Sequence, residues 1–229
     1  MTPDWLTRRR RLDAVMRLQS SAQLGDPARE ETLRLLTEAL SDSDAEVREQ
    51  AAAGLSEFGP EGGAAVPVLM DAIYDDSVVV RRRAIRALGG MGEAAEEAIP
   101  ALVAATEDPE PSVALQALAS LADLMPLASA ALPAFLSALW TGDVRARAVA
   151  TVALVRLGPA AVPSLLSTLA HPAPDVRAKA AHILGKIGLA AAEAKPLLEK
   201  MLAEKDEALC SAAQDALRQI DADPANRTS

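Results

Sequence analysis

Aromatic side chains are nearly missing from this chain, with two Trp, one Tyr and two Phe among 229 residues. An ordinary globular core of that length fills its interior with more of them. Their scarcity argues against one large compact core and for thin layers packed by small residues. Cysteine occurs once, at Cys210, which excludes an intrachain disulfide and a cysteine-rich metal site. Histidine occurs twice, at His171 and His182, and neither is followed by glutamate. Zinc or iron needs three or four converging ligands, which two scattered imidazoles do not supply. Gly62-Gly63 and Gly89-Gly90 lack the lysine of a phosphate loop, and no serine has a convincing base partner. The expectation is no catalytic residue, no cofactor and no metal.

Positive charge is also short. The net charge is −9 and the sequence pI about 4.8, whereas a duplex-binding protein needs a concentrated basic surface. The run Arg8 to Arg11 reads as a solvated helix face balanced by Asp4 and Asp13, and Arg81, Arg82, Arg83 and Arg86 share one helix. Nucleic acid is therefore not the expected partner, and an anionic ligand held by these two clusters stands as a lesser alternative. No basic segment leads into an apolar stretch at the amino end. No uninterrupted apolar run reaches bilayer length, so a cytoplasmic protein without a membrane span is expected.

What the chain does have is a period. Pro67, Pro100, Pro133, Pro163 and Pro196 follow one another at 33, 33, 30 and 33 residues, a schedule that fits stacked copies of a small unit. The same step relates Val47, Val80, Val113, Ala146, Val176 and Leu209. Four residues later come Ala51, Ala84, Ala117, Ala150, Ala180 and Ala213, and eight later Leu55, Leu88, Leu121, Leu154, Leu184 and Leu217. Apolar residues at steps of four mark one face of a helix. Gly59, Gly92, Gly158 and Gly188, with Met125 in the third copy, then supply the stop. The proline opens a second helix, where its missing N–H costs nothing. Its inward side carries pairs such as Leu69 and Ile73, Phe135 and Leu139, or Leu198 and Leu202. The 30-residue step reads as a three-residue trim in a surface loop between the two helices.

The expected fold is an all-α, right-handed solenoid of about six helical hairpins in one elongated domain. Residues 1–41 form a divergent capping hairpin. Its first helix runs from about Pro3 to Gln19 with Leu6, Leu12, Val15 and Leu18 inward. A turn at Gly25-Asp26-Pro27 precedes Leu33, Leu36 and Leu40. Repeats follow at 42–74, 75–107, 108–140, 141–170 and 171–203, then a terminal helix at 206–220 and a flexible tail at 221–229. The sequon-like Asn226-Arg227-Thr228 in that tail has no meaning in the cytoplasm.

The string Asp42, Val47, Arg48, Ala51, Leu55, Gly59, then Pro67 and Leu69, recurs as Asp75, Val80, Arg81, Ala84, Leu88, Gly92, then Pro100 and Leu102. It resembles HEAT repeats of the short bacterial type grouped with phycocyanobilin lyase subunits, over residues 42 to about 220. The Trp/Tyr and Thr-Pro-Leu-His signatures of tetratricopeptide and ankyrin repeats are absent. The resemblance implies that an aspartate and an arginine six apart bond along the stacked loops, as Asp42 with Arg48 and Asp75 with Arg81. The ladder then decays: Asp108 faces Ala114, Thr141 precedes Arg147, and His171 precedes Arg177. It also implies that second helices line the concave face and leaves open a chromophore lyase subunit as the alternative function.

On that face the positions between the inward residues read Val68, Asp71 and Ala72, then Ala101, Ala104 and Ala105. They continue as Ala134, Ser137 and Ala138, then Ser164, Ser167 and Thr168, then Leu197 and Lys200. Tyr74 and Trp140 sit seven residues after their prolines, at the rim. Small uncharged residues let another backbone approach closely, and rim aromatics anchor interfaces; alanine is equally an inexpensive helix filler. The expected function is a non-catalytic adaptor, a monomer, that binds a protein or peptide on this face.

Overall fold

Some helices in this chain open on proline, which has no N–H to satisfy, and others begin where a side chain accepts from a free N–H group of the first turn. Asp44, Asp143 and Asp206 do so, accepting from the backbone N–H of Glu46, Ala146 and Leu209. The computed structural model describes residues 4–21, 28–125 and 127–222, and among these no strand occurs. The fold is an all-α solenoid of helical hairpins. Pro3, the turn at Gly25-Asp26-Pro27, residues 223–229 of the expected tail with their sequon, and the side chains of Leu6 and Leu18 lie outside the described residues.

The chain divides into two compact units, Met1–Ala134 and Phe135–Ser229. The first opens with α1 (Asp4–Ser21) and α2 (Ala28–Ala39), which bury Val15, Leu36 and Leu40 while Leu12 and Leu33 stay half-buried. There α3 (Ala45–Leu55) is followed by α4 (Val66–Ala72), α5 (Val78–Gly90) by α6 (Ile99–Ala105), and α7 (Pro111–Asp123) comes next. All nine column residues of α3, α5 and α7, from Val47 to Leu121, are buried. The second unit takes most of α8 (Leu132–Thr141), then α9 (Val144–Leu157), α10 (Val162–Thr168), α11 (Pro174–Ile187), α12 (Lys195–Met201) and α13 (Glu207–Asp221). Its column residues Ala150, Leu154, Val176, Ala180, Leu184, Leu209 and Ala213 are buried, whereas Ala146 and Leu217 are half-buried.

The four stop glycines adopt φ of 55° to 76°, the left-handed region in which a side chain is strained. The linkers that these glycines open are not the expected surface loops. Gly59–Ala65 is a 3-10 helix of seven residues, while Gly92–Ala98 and Gly188–Ala194 are each two 3-10 turns joined at a kink, at Ala95 and Ala191; all three have buried small residues. Gly62 and Ala65 lie three apart and show one inward side, because a 3-10 helix has about three residues per turn; Ala95 and Ala98 are buried likewise across their kink. The short linker Gly158–Ala161 has four residues. The three-residue trim thus removes one whole turn and leaves Ala161 fully buried, like Ala65, Ala98 and Ala194. Deleting Glu93–Ala95 should accordingly be tolerated with a small fall in melting temperature. Deleting Ala94–Ala95 alone should cost more, because it rotates Ala98 out of register. Thermal melts by circular dichroism rank the two.

Residues 144–168 contain an 18-residue window of mean hydropathy 1.6, long and apolar enough to cross a membrane by length and composition. They are two helices of 14 and 7 residues broken at Gly158, and neither alone reaches the roughly 20 residues a span needs.

Candidate functional site

A second helix of seven residues has room for two buried anchors and leaves the positions between them outward. On α4, Leu69 and Ile73 are buried, Val68 is half-buried, and Asp71 and Tyr74 are exposed, Tyr74 at 68%. On α6, Leu102 is buried, Ala101 half-buried and Ala104 exposed. Ala134, the last residue of the first unit, is half-buried. In the second unit Phe135, Leu139 and Leu165 are buried, Ser137 and Ser167 are exposed, and Ser164 and Trp140 are half-buried. Leu197 and Lys200 on α12 are exposed, and Leu202, expected inward, is exposed too. Ala72, Ala105 and Ala138 are corrections: expected outward, they pack inside at 7%, 6% and 8% exposure, since each precedes the second anchor position and its methyl turns inward with it.

The hydroxyls are less available than their sequence suggests. Ser167 Oγ donates to Pro163 O (3.2 Å) and Thr168 Oγ1 to Ser164 O (2.8 Å), while Thr141 Oγ1 donates to Ser137 O (2.9 Å). Bonding back to their own helices leaves these side chains presenting mainly carbon.

A second array lies on the turns. Arg48 donates through Nε and its terminal nitrogen to the Asp75 carboxylate (2.6 and 2.8 Å) and to Asp42 O (2.8 Å). Arg81 repeats this with the Asp108 carboxylate (2.8 and 2.9 Å) and Asp75 O (3.0 Å). Each aspartate in turn accepts from the N–H two residues on, as Asp42 from Asp44, Asp75 from Ser77 and Asp108 from Glu110. These arginines therefore pair with the carboxylate 27 residues ahead and touch only the main chain of the aspartate six behind. The side-chain pairing expected within one repeat is corrected to a pairing between repeats. The Arg81 guanidinium holds the Asp108 carboxyl below the usual carboxylate range, against the opposing effect of burial.

A family model for HEAT repeats matches residues 2–79, 66–155 and 132–218. The chain belongs to this family. Among solved structures it is similar to the complex of CpcE and CpcF of phycocyanin lyase from Nostoc sp. PCC7120. Identity there is 28% over 82% of this chain and 76% of that chain, with a TM-score of 0.52. It also resembles an archaeal HEAT-like repeats protein from Thermococcus onnurineus NA1, at 16% identity over 90% of this chain and 92% of that one, TM-score 0.55. The karyopherin Kap121p, bound to the extreme C-terminus of the protein phosphatase Cdc14p, matches at 18% identity over 88% of this chain and 26% of that one, TM-score 0.63. A search of curated proteins finds no match.

Within these HEAT repeats the ladder is longer than the paired motif suggests. Arg11, expected only as part of a solvated face, lies 3.0 Å from Asp42. Arg177 donates to Glu204, again 27 residues ahead, and to His171 O (2.9 Å). Asp108 is an acceptor, and the pattern lapses one step later, where Ala114 has no guanidinium and Thr141 no carboxylate. Arg147 keeps only a main-chain bond, to Gly142 O (2.6 Å). Cys210 occupies the arginine position of the last HEAT unit, and its thiol reaches Glu204 O (3.2 Å), six residues behind. His171 takes the aspartate's part, its Nδ1 accepting from Ala173 N–H (3.1 Å). The constant 27-residue interval was the available signal for Glu204. Among the described residues no group of three or more His, Cys, Asp or Glu could hold a metal ion.

Proposed function

We propose that this HEAT repeat protein is a non-catalytic adaptor that binds a protein or peptide segment through the exposed sides of its second helices. The observation that carries this reading is the composition of those sides. Ala101 and Ala104 in the first unit, and Ser137, Ser164 and Ser167 in the second, present small uncharged groups, and the Ser167 hydroxyl is already bonded to its own helix. Such a surface costs little to desolvate and admits another chain closely. Tyr74, with most of its ring in solvent, is the kind of anchor that dominates interface energy. The similarity to the CpcE–CpcF complex, itself an assembly of two chains, supports a protein partner.

The test is a photo-crosslinking amino acid placed at Ala104, at Ser167 and, as a control, at Arg86 on the exposed side of α5. Irradiation in a native-host extract followed by mass spectrometry should give one shared adduct at the first two sites and none at Arg86. The double variant Ala104→Arg with Ser137→Arg should lose that partner at unchanged helicity. Equal capture by that variant would remove these sides from consideration.

A second reading, a lyase-type enzyme subunit, is favoured by the same CpcE–CpcF similarity at 28% identity. Incubation of the pure protein with a linear tetrapyrrole separates the two. A shifted absorbance band supports the lyase reading, and an unchanged spectrum supports the adaptor.

A further inference from the structure

Successive second helices of the first unit turn equivalent positions to solvent, and their chemistry differs from that of the second unit. Leu36, Leu69 and Leu102 follow one another at 33 residues and are buried anchors that set the register. In that register α2 shows Glu31, Arg34 and Glu38, and α4 shows Asp71 and Tyr74. Around α6 the counterparts are Glu97 and Glu107, with Ala104 between them, and all of these residues are exposed. Glu38, Asp71 and Ala104 are thus equivalent, as are Tyr74 and Glu107. In the second unit α8 and α10 contain no charged residue, and α12 balances Glu199 with Lys195 and Lys200.

Little offsets the carboxylates of the first unit. No Lys or Arg occurs between Arg48 and Arg81, or between Arg86 and Arg145. The arginines at 81–86 belong to α5, a first helix, where Arg81 and Arg83 pair with Asp108 and Glu49. Arg34 is held locally, donating to Glu31 (2.6 and 2.9 Å) and to Glu38. Asp71, Glu97 and Glu107 have no side-chain partner among the described residues. Tyr74 stands beside them at 68% exposure, the one exposed aromatic among the described residues. A cleft of about 550 Å³ opens along α2 as far as the linker ahead of α4, lined in part by Leu33, Thr37, Glu38 and Ala64.

We propose that the second-helix side of the first unit holds a basic segment of a partner protein, an extended stretch with Arg or Lys about every third residue, one of whose cations lies over Tyr74 beside Asp71 and Glu107. This rests on the reading of the second helices as the binding side and names their occupant. Charge complementarity selects it, since unpaired carboxylates surround an exposed ring and a cation is attracted by both. The methylene stem of Arg or Lys suits a cleft whose lining mixes Leu33 and Ala64 with Glu38. Neighbouring helices stand roughly 10 Å apart, a distance an extended chain crosses in about three residues. The carboxylates are spread over successive helices, and among the described residues no group of three or more could hold a metal ion, so the cation is a side chain. A phosphate-bearing partner is repelled by the same charges.

The test uses two fluorescent peptides, one built of Arg-Ala-Ser repeats and one of Glu-Ala-Ser repeats, with the full chain at roughly physiological salt. Anisotropy should show saturable binding of the arginine peptide and roughly tenfold or more weaker binding of the glutamate peptide. Asp71→Asn with Glu107→Gln should weaken the arginine peptide roughly tenfold at unchanged helicity. Tyr74→Leu should weaken it roughly threefold or more, and Tyr74→Phe, which keeps the ring, far less. Asp123→Asn with Glu207→Gln removes the same charge away from the second helices and should leave the affinity as it was. The proposal is overturned by equal affinity for both peptides, by no binding to either, or by equal losses in the two charge variants. Binding that survives the Asp71 and Glu107 changes or Tyr74→Leu also overturns it. So does equal affinity for spermine, which would assign the side to a free polyamine. If the crosslinker at Ala104 captures a segment without Lys or Arg, the adaptor reading stands and this inference alone fails.

Discussion

Arg81→Leu is expected to lower the unfolding free energy by about 3 kcal/mol, because it leaves the Asp108 carboxylate largely buried without its counter-charge. Both partners are nearly covered, with side chains 14% and 11% exposed, so water compensates poorly for the lost pair. Asp108→Leu should cost less, because the Arg81 guanidinium keeps its bond to Asp75 O. The double variant should recover part of the loss, since two apolar groups in place of a buried pair are often close to neutral. Urea denaturation of the four proteins gives the coupling directly. If each single change costs less than about 0.5 kcal/mol, the pair behaves as an exposed salt bridge and the turn array is decoration.

The same pair carries a pH dependence. Asp108 is held below its ordinary range in the fold, so the unfolded chain takes up its proton first as pH falls. The stabilisation is therefore fully present above the unfolded carboxylate value, about 4. It is lost as pH drops through the lower folded value. The difference between the parent protein and Arg81→Leu should be constant from pH 7 to about 5 and shrink below about 4. A difference that instead grew toward acid would contradict the assignment.

The second large effect concerns close approach of helices in the second unit. A Cβ added at Gly185 on α11 would lie 2.8 Å from Ala216 Cα and 3.2 Å from Ala216 Cβ on α13. The first is a main-chain atom, so relief requires the two helices to move apart. Gly185→Ala gains up to about 1 kcal/mol of helix propensity but should still be net destabilising. Gly185→Leu should cost about 3 kcal/mol, at the upper end of overpacking effects. Gly90→Ala on α5 is the control, because its added Cβ meets nothing closer than 4.0 Å, and it should be neutral or stabilising. A rise in melting temperature for both alanine variants would show that α11 and α13 have slack between them.

Gly185 illustrates what a sequence conceals. It sits in the last turn of α11, one residue after the leucine column, a position that only Gly89 in α5 also fills with glycine. Its requirement comes from Ala216, 31 positions away. Ser120 is a parallel case: it is buried on α7, and its hydroxyl donates to Ile85 O on α5 (2.9 Å), a bond no local pattern announces. The outward residues of the second helices were legible in part. Val68, Asp71, Ala104, Ser137, Ser167 and Lys200 keep at least part of their surface. Ala105 does not, because at seven residues a helix leaves little margin between its inner and outer sides.

The helical hairpins and the family were determined by sequence alone, because the apolar period of a helix and the left-handed glycine that ends it are local properties that recur along the chain. Tertiary structure decided which partner each of those residues has. Arg48 and Arg81 reach the carboxylate of the following repeat and only the main chain of their own, and the linkers coil into 3-10 turns over buried alanines. The physical reason is distance along the chain: a contact spanning 27 residues depends on how far one hairpin is displaced and rotated from the next, a quantity that periodicity within a single helix does not contain.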